Sequence, residues 1–191
     1  MTAPIRIETG RFVLRDFLEE DRPAFVAYQT DPRYRALYDI GEDGDAKARA
    51  LFHRFLEWQS ASPRTNIQLG IFGRNGELCG CAGLRMESAE AGTAELGIEL
   101  APENWGRYRL AVEVIVALAD YGFDTLGLGR IVGSTASGNR RVTKLANWFG
   151  AQIVASRDGP AWMTARGWKE VDWALNREDW AASARKRQQR G

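Results

Sequence analysis

The sequence predicts an α/β domain with a mixed sheet flanked by helices. Residues 94–100 alternate, with Leu96, Ile98 and Leu100 against Glu95, Gly97 and Glu99, the period-two mark of a strand with one apolar face. Leu110 to Phe123 then form a long apolar run whose polar positions, Glu113, Asp120 and the following Asp124, share one helical face. The rest of that helix must be covered by protein. Around this pair the elements read strand, two helices, three strands, helix, strand, helix and two strands, an order that mixes parallel and antiparallel neighbours.

From the start, Ile5–Phe17 reads as a first strand, with Phe12 and Leu14 set between Arg11, Val13 and Arg15. Glu19-Glu20-Asp21 ahead of Pro23 is helix-start chemistry: acids suit the positive end of the dipole, and proline lacks an N–H that would be unpaired there. That helix carries Ala24–Tyr28 and breaks at Thr30-Asp31-Pro32. Asp45 to Gln59 is a second amphipathic helix, with Ala48, Leu51, Phe52, Phe55 and Leu56 at three-and-four spacing. His53, the one histidine, sits on it as a surface residue rather than a base.

Ile67–Phe72 and Leu78–Leu84 form a hairpin around Gly73-Arg74-Asn75-Gly76. After the central strand, Pro102 closes the ladder and Asn104-Trp105-Gly106 turns the chain into the buried helix. The first N–H groups of a helix have no intrahelical partner, so this turn suits an anion, and Arg107 and Arg109 add charged donors. Arg130–Thr135 is a strand, Asn139–Phe149 a compact helix, and 150–156 and 170–175 are closing strands around Trp162, Met163 and Trp168.

Bulk properties bound the function. A chain of 191 residues, 45% apolar and 27% charged, fits one domain, placed at 1–180, with a basic tail at 181–191. A net charge of +1 argues against a dedicated nucleic-acid binder, although the tail admits contact with tRNA or a ribosome. Cys79 and Cys81 are too close for a good disulfide, and a single histidine leaves too few ligands for a Cys/His zinc site. No run reaches membrane-spanning length and no signal peptide is evident, so the expected location is the cytoplasm and no metal is expected.

The ordered motifs resemble those of GNAT acyl-CoA N-acyltransferases, and within them the Rim-type ribosomal-protein N-terminal acetyltransferases. The resemblance rests on Arg11-Phe12-Val13-Leu14-Arg15 with Asp21, Thr30-Asp31-Pro32, Glu95-Leu96-Gly97-Ile98, and Trp105-Gly106 with Glu113. It extends through Arg130-Ile131, Asn139, Trp168-Lys169-Glu170-Val171 and Glu178-Asp179-Trp180. It implies a sheet, mostly antiparallel, that splays between the fourth and fifth strands, 94–100 and 130–135. It also implies acetyl-CoA as co-substrate, with its pyrophosphate on Trp105, Gly106, Arg107, Arg109, Leu110 and Ala111. The pantetheine arm would lie beside Leu96 and Ile98, and Asn139 would help hold it. The acceptor would be a small-molecule or peptide amine, walled by Tyr34, Arg35, Tyr38 and Trp162; a homodimer is compatible with the family.

Two departures bear on chemistry. Arg107-Tyr108-Arg109 stands where the family carries a second glycine, and Val142 stands where it often has a serine that protonates the thiolate. Ala151 also replaces a phenylalanine. Glu95 is the first candidate base and Glu99 the second, since a strand carboxylate lining a cleft gains basicity if buried. Ser134 or Tyr121 would replace the missing donor, Tyr121 having core packing as its other reading. Two further functions fit the same fold: transfer from another donor such as aminoacyl-tRNA, and binding without catalysis.

Overall fold

The computed structural model describes residues 3–38 and 43–188, with the side chains of residues 37, 38, 108 and 184–188 left undescribed. Its strands are β1 (Arg6–Glu8), β2 (Phe12–Arg15), β3 (Asn66–Gly73), β4 (Leu78–Arg85), β5 (Thr93–Leu100), β6 (Arg130–Ala136), β7 (Gln152–Asp158) and β8 (Lys169–Asn176). Its helices are α1 (Arg22–Gln29), α2 (Pro32–Tyr38), α3 (Gly44–Ser60), α4 (Tyr108–Asp120), α5 (Arg140–Phe149), α6 (Ala161–Thr164) and α7 (Arg177–Gln188). The strand order is β1-β2-β3-β4-β5-β6-β8-β7, with β5 and β6 parallel. The pairs β1–β2, β2–β3, β3–β4, β6–β8 and β7–β8 are antiparallel, so the mixed, mostly antiparallel sheet expected from the sequence is present. The chain forms two compact units, residues 1–88 with 97–118, and residues 89–96 with 119–191. Strand β5 gives its second half to the first unit and its first half to the second.

In the first unit, the expected single strand at Ile5–Phe17 is a hairpin. Thr9-Gly10-Arg11 turns the chain, and Thr9 N donates to Phe12 O at 2.9 Å. The alternation continues on either side of that turn, which is why period two alone reads through it. The sheet therefore has eight strands, and the expected fourth and fifth are β5 and β6. Asp21 sits before α1 with its carboxylate buried, accepting from Leu18 N at 2.7 Å and pairing with Arg15. Pro32, which ends one helix, also starts the next, a position where its missing N–H is harmless. Phe17, Phe25, Tyr28, Tyr34, Phe52 and Phe55 pack into one aromatic cluster with Cys81 and Ala101. Phe17 meets Phe25, Phe52 and Phe55 at centroid distances of 5.2–5.8 Å. On α4, Leu110, Val114, Ile115 and Leu118 are buried, as the apolar run requires.

In the second unit, β5 and β6 pair over Thr93–Glu95 opposite Arg130–Val132, the start of each strand. The helix that begins as α4 ends in a wider π turn at Tyr121–Thr125. Such turns hold an extra residue. Asn139 caps α5, its side chain accepting from Val142 N, and Gly150 ends that helix at φ +80°. The stretch that reads as a tail is helical through Gln188 in α7. Trp180 anchors its first turn, packing on Phe149 at 5.6 Å and donating from Nε1 to Asp120 Oδ1 at 2.8 Å. Among the described residues, no helix is long and apolar enough to cross a membrane.

Candidate active site

The site grows out of an irregularity in β4. Opposite β3, Ile71 faces Gly80 while Phe72 faces Leu78, so Cys79 is the extra residue of a bulge. Gly80 takes φ +148° and lies against β5: a Cβ there would stand 2.2 Å from Glu99 O. Only glycine permits that approach. The bulge turns Cys79 O toward the exit of β5, where it accepts from Ala101 N at 2.9 Å and Asn104 Nδ2 at 3.3 Å. Trp105 Nε1 donates to Leu100 O at 2.8 Å. The end of β5 is thus fixed from both sides, and Glu99 is the charged residue it presents.

Glu99 is half-buried, and its carboxylate is enclosed by neutral donors. Oε1 accepts from Tyr28 Oη at 2.7 Å and from Gln29 Nε2; Oε2 accepts from Tyr34 Oη. Cys81 Sγ lies 4.0 Å from Oε1 and 3.4 Å from Tyr28 Oη. Behind these groups stands the aromatic cluster, a low-dielectric wall. Burial pushes the Glu99 carboxyl above the usual range, while the bonds from Tyr34, Tyr28 and Gln29 and the charge of Arg85 restrain the rise. Burial also pushes the Tyr28 hydroxyl and the Cys81 thiol well up, so both stay protonated as donors. A carboxylate offers about four acceptor positions. Three are filled here, and one on Oε2 is left for a further donor.

Glu95 is exposed and opposite Val132 in the β5–β6 ladder. The burial that recommended it from sequence belongs instead to Glu99, because α1 and α2 deliver their polar side chains to the end of β5. Tyr34 is a buried donor to Glu99 rather than an open pocket wall, and Arg35 is half-buried. Tyr38 has a side chain outside the described residues. Leu96 and Leu110 are buried, Ile98, Trp105 and Ala111 half-buried. Gly106 takes φ +82° with open space around its α-carbon, and Arg107 and Arg109 are exposed on either side of the start of α4. A glycine without obstruction and two exposed guanidiniums beside a helix N-terminus fit a pyrophosphate.

Glu113, one turn into α4, is held differently. It accepts from Thr9 Oγ1 at 2.6 Å, Arg11 N at 2.7 Å and Arg11 Nε at 2.7 Å, while Arg11 Nη2 also donates to Arg109 O at 3.0 Å. Burial pushes its carboxyl up, but these bonds and the Arg11 charge outweigh it and the result lies below the usual range. In the second unit, Ser134 is exposed on β6 and Tyr121 half-buried at the π turn. Asn139 has its Oδ1 engaged in the helix cap. Trp162 is half-buried under Arg166, whose guanidinium also lies 5.6 Å from the Trp168 ring. Among the described residues, no cluster of metal-binding side chains occurs. Tyr28, Gln29 and Arg85 were not legible as site residues. The one available signal was a polar pair, Tyr28-Gln29, closing an otherwise apolar helix face.

The model of the acetyltransferase (GNAT) domain family matches residues 11–152. The uncharacterized N-acetyltransferase YoaA of Bacillus subtilis (strain 168) is 31% identical over 150 residues, which is 76% of this chain and 82% of that protein. The uncharacterized N-acetyltransferase p20 of Bacillus licheniformis is 30% identical over 139 residues, 73% of this chain and 78% of that protein. Among solved structures, spermidine N-acetyltransferase from Vibrio cholerae, in complex with CoA and spermine, aligns with a TM-score of 0.74 at 16% identity. That alignment covers 91% of this chain and 99% of that one. A GNAT-family acetyltransferase from Bacillus anthracis aligns at 0.72 with 18% identity, covering 91% and 99%.

Proposed function

The chain belongs to the GNAT acetyltransferase family, and on that premise we propose that it acetylates a primary amine from acetyl-CoA with Glu99 as the base. The observation that carries the proposal is the Glu99 carboxylate, buried among neutral donors with one acceptor position open. A base works best when its pKa approaches the working pH, and burial moves Glu99 in that direction. Residues 1–180 act in this reading as one acyltransferase domain.

Acetyl-CoA supplies the thioester that the free amine attacks. Arg107, Arg109 and the N–H groups at the start of α4 hold its pyrophosphate, and Leu96 and Ile98 flank the arm along β5. An acceptor ammonium docks on Glu99 Oε2 and gives it a proton. The nitrogen lone pair then forms the C–N bond as the C–S bond breaks. The departing thiolate takes a proton from water, since Val142 has none to give, and the attacking nitrogen sheds its second proton to water as the amide forms. The amine is small or a peptide N-terminus, and Arg35 is a candidate for its surroundings. Two free, buried thiols, Cys79 and Cys81, suit the reducing cytoplasm. A second copy of the chain would cover β7, an edge strand exposed throughout with Ile153 at 62% and Val154 at 51%.

The test is calorimetry with acetyl-CoA, followed by mass spectrometry of spermine, amino acids and peptides incubated with enzyme and acetyl-CoA. Binding and a mass gain of one acetyl group on an amine are expected. No acetyl-CoA binding at millimolar concentration would transfer the fold to another donor or to a non-catalytic role. Binding of a tRNA would then distinguish those two.

A further inference from the structure

On the sheet face that carries Glu99, two glycines lie under polar side chains. Gln68 on β3 stands opposite Gly83 on β4, and a Cβ on Gly83 would meet Gln68 Oε1 at 2.7 Å. One strand further on, a Cβ on Gly97 would meet Arg85 Nη2 at 2.2 Å. At Gly83 the Ile67 backbone oxygen is nearer still, at 2.1 Å, whereas at Gly97 the three nearest atoms all belong to the Arg85 guanidinium. Residues two apart on a strand share a face, so the Arg85 guanidinium on Gly97 lies beside Glu99. The groups facing Glu99 are Tyr28 and Gln29 from α1, Tyr34 from α2, and Cys81 and Arg85 from β4. All but Arg85 are neutral at pH 7.

We propose that Arg85 is a positioning residue, seated on Gly97, whose charge keeps Glu99 available as a carboxylate, and that residue 97 is glycine to admit it. The neutral donors hold the carboxylate in place but bring no charge to offset its burial. Arg85 brings that charge. An alanine at 97 would fill the seat, and the guanidinium, the far end of a flexible side chain, would move away without disturbing backbone. The inference rests on Glu99 as the base, so its test reads the Glu99 carboxyl directly rather than activity.

The experiment is a ¹³C NMR titration of the protein labelled at the glutamate carboxyl carbons, with the Glu99 signal assigned by its absence in Glu99→Gln. Native protein, Gly97→Ala, Arg85→Gln and Arg85→Lys are compared. In Gly97→Ala and Arg85→Gln the Glu99 midpoint should move to higher pH, and in Arg85→Lys it should stay nearer the native value. An unchanged midpoint in Gly97→Ala overturns the proposal, and that variant carries the test even if Arg85→Gln fails to fold. Should the midpoints shift while Glu99→Gln keeps full activity, the positioning would stand and the assignment of the base would fall.

Discussion

Two glutamates of the first unit show how much surroundings decide. Glu99 at the end of β5 and Glu113 in α4 each accept three close hydrogen bonds. Glu113 takes two of its three from Arg11, so its carboxylate is paired with a cation and held below the usual range. Glu99 takes its three from two phenols and an amide against an aromatic wall, and burial prevails. Glu113 is a fixed anion that ties the β1–β2 turn to the start of α4. Glu99 is the carboxylate whose burial favours the protonated form. The difference separates a structural acid from the proposed base.

The largest expected effect falls on Glu99. Glu99→Gln keeps the shape and removes the proposed base, so turnover should fall about 10²–10⁴-fold, while Glu95→Gln should leave turnover nearly unchanged. Steady-state kinetics of the two variants checks this, and an equal loss in both would erase the distinction. Next, replacing Arg107 and Arg109 together by alanine should weaken acetyl-CoA binding by about 1–3 kcal/mol, measured by calorimetry.

The structural acid is tested by stability. Glu113→Ala should lower unfolding stability by about 1–2 kcal/mol at pH 7, read from urea midpoints. Its carboxyl gives up a proton more readily folded than unfolded. The contribution is therefore complete above the unfolded carboxyl range and lost as pH falls through the folded value. The gap between native and Glu113→Ala should close in acid. Glu99 runs the other way: its carboxyl binds a proton more tightly folded, a contribution present in acid and lost as pH rises through the folded value. Glu99→Gln should therefore raise Tm by about 1–3 °C at pH 8 and lose that advantage in acid.

Much of this architecture was legible in the sequence, and the site was legible in part. Period two exposed β5, the turn at residues 73–76 marked the hairpin of β3 and β4, and the apolar run of α4 announced a helix that had to be buried. Helix α7 escaped because, Trp180 apart, it has scarcely any apolar face to mark it. Glu95 and Glu99 are indistinguishable in their own strand: they share a face, four residues apart. What separates them arrives from Tyr28 and Tyr34, 71 and 65 residues upstream, and depends on how α1 and α2 pack. Arg85 was hidden for the same reason, since its seat on Gly97 is a cross-strand relation. Asn139 was marked by the resemblance as a cofactor contact, while its position ahead of a helix also marks a cap.

In the proposed reaction Glu99 takes the proton from the acceptor amine. The most direct test of that step is the pH dependence of kcat/KM for native enzyme, Glu99→Gln and Glu95→Gln with an acceptor found by mass spectrometry. Native enzyme and Glu95→Gln should rise together through an ionisation above the ordinary carboxyl range. Glu99→Gln should lack that step, run lower, and regain rate at high pH as more amine is already neutral. A Glu99→Gln profile that matches native in height and shape would contradict the claim.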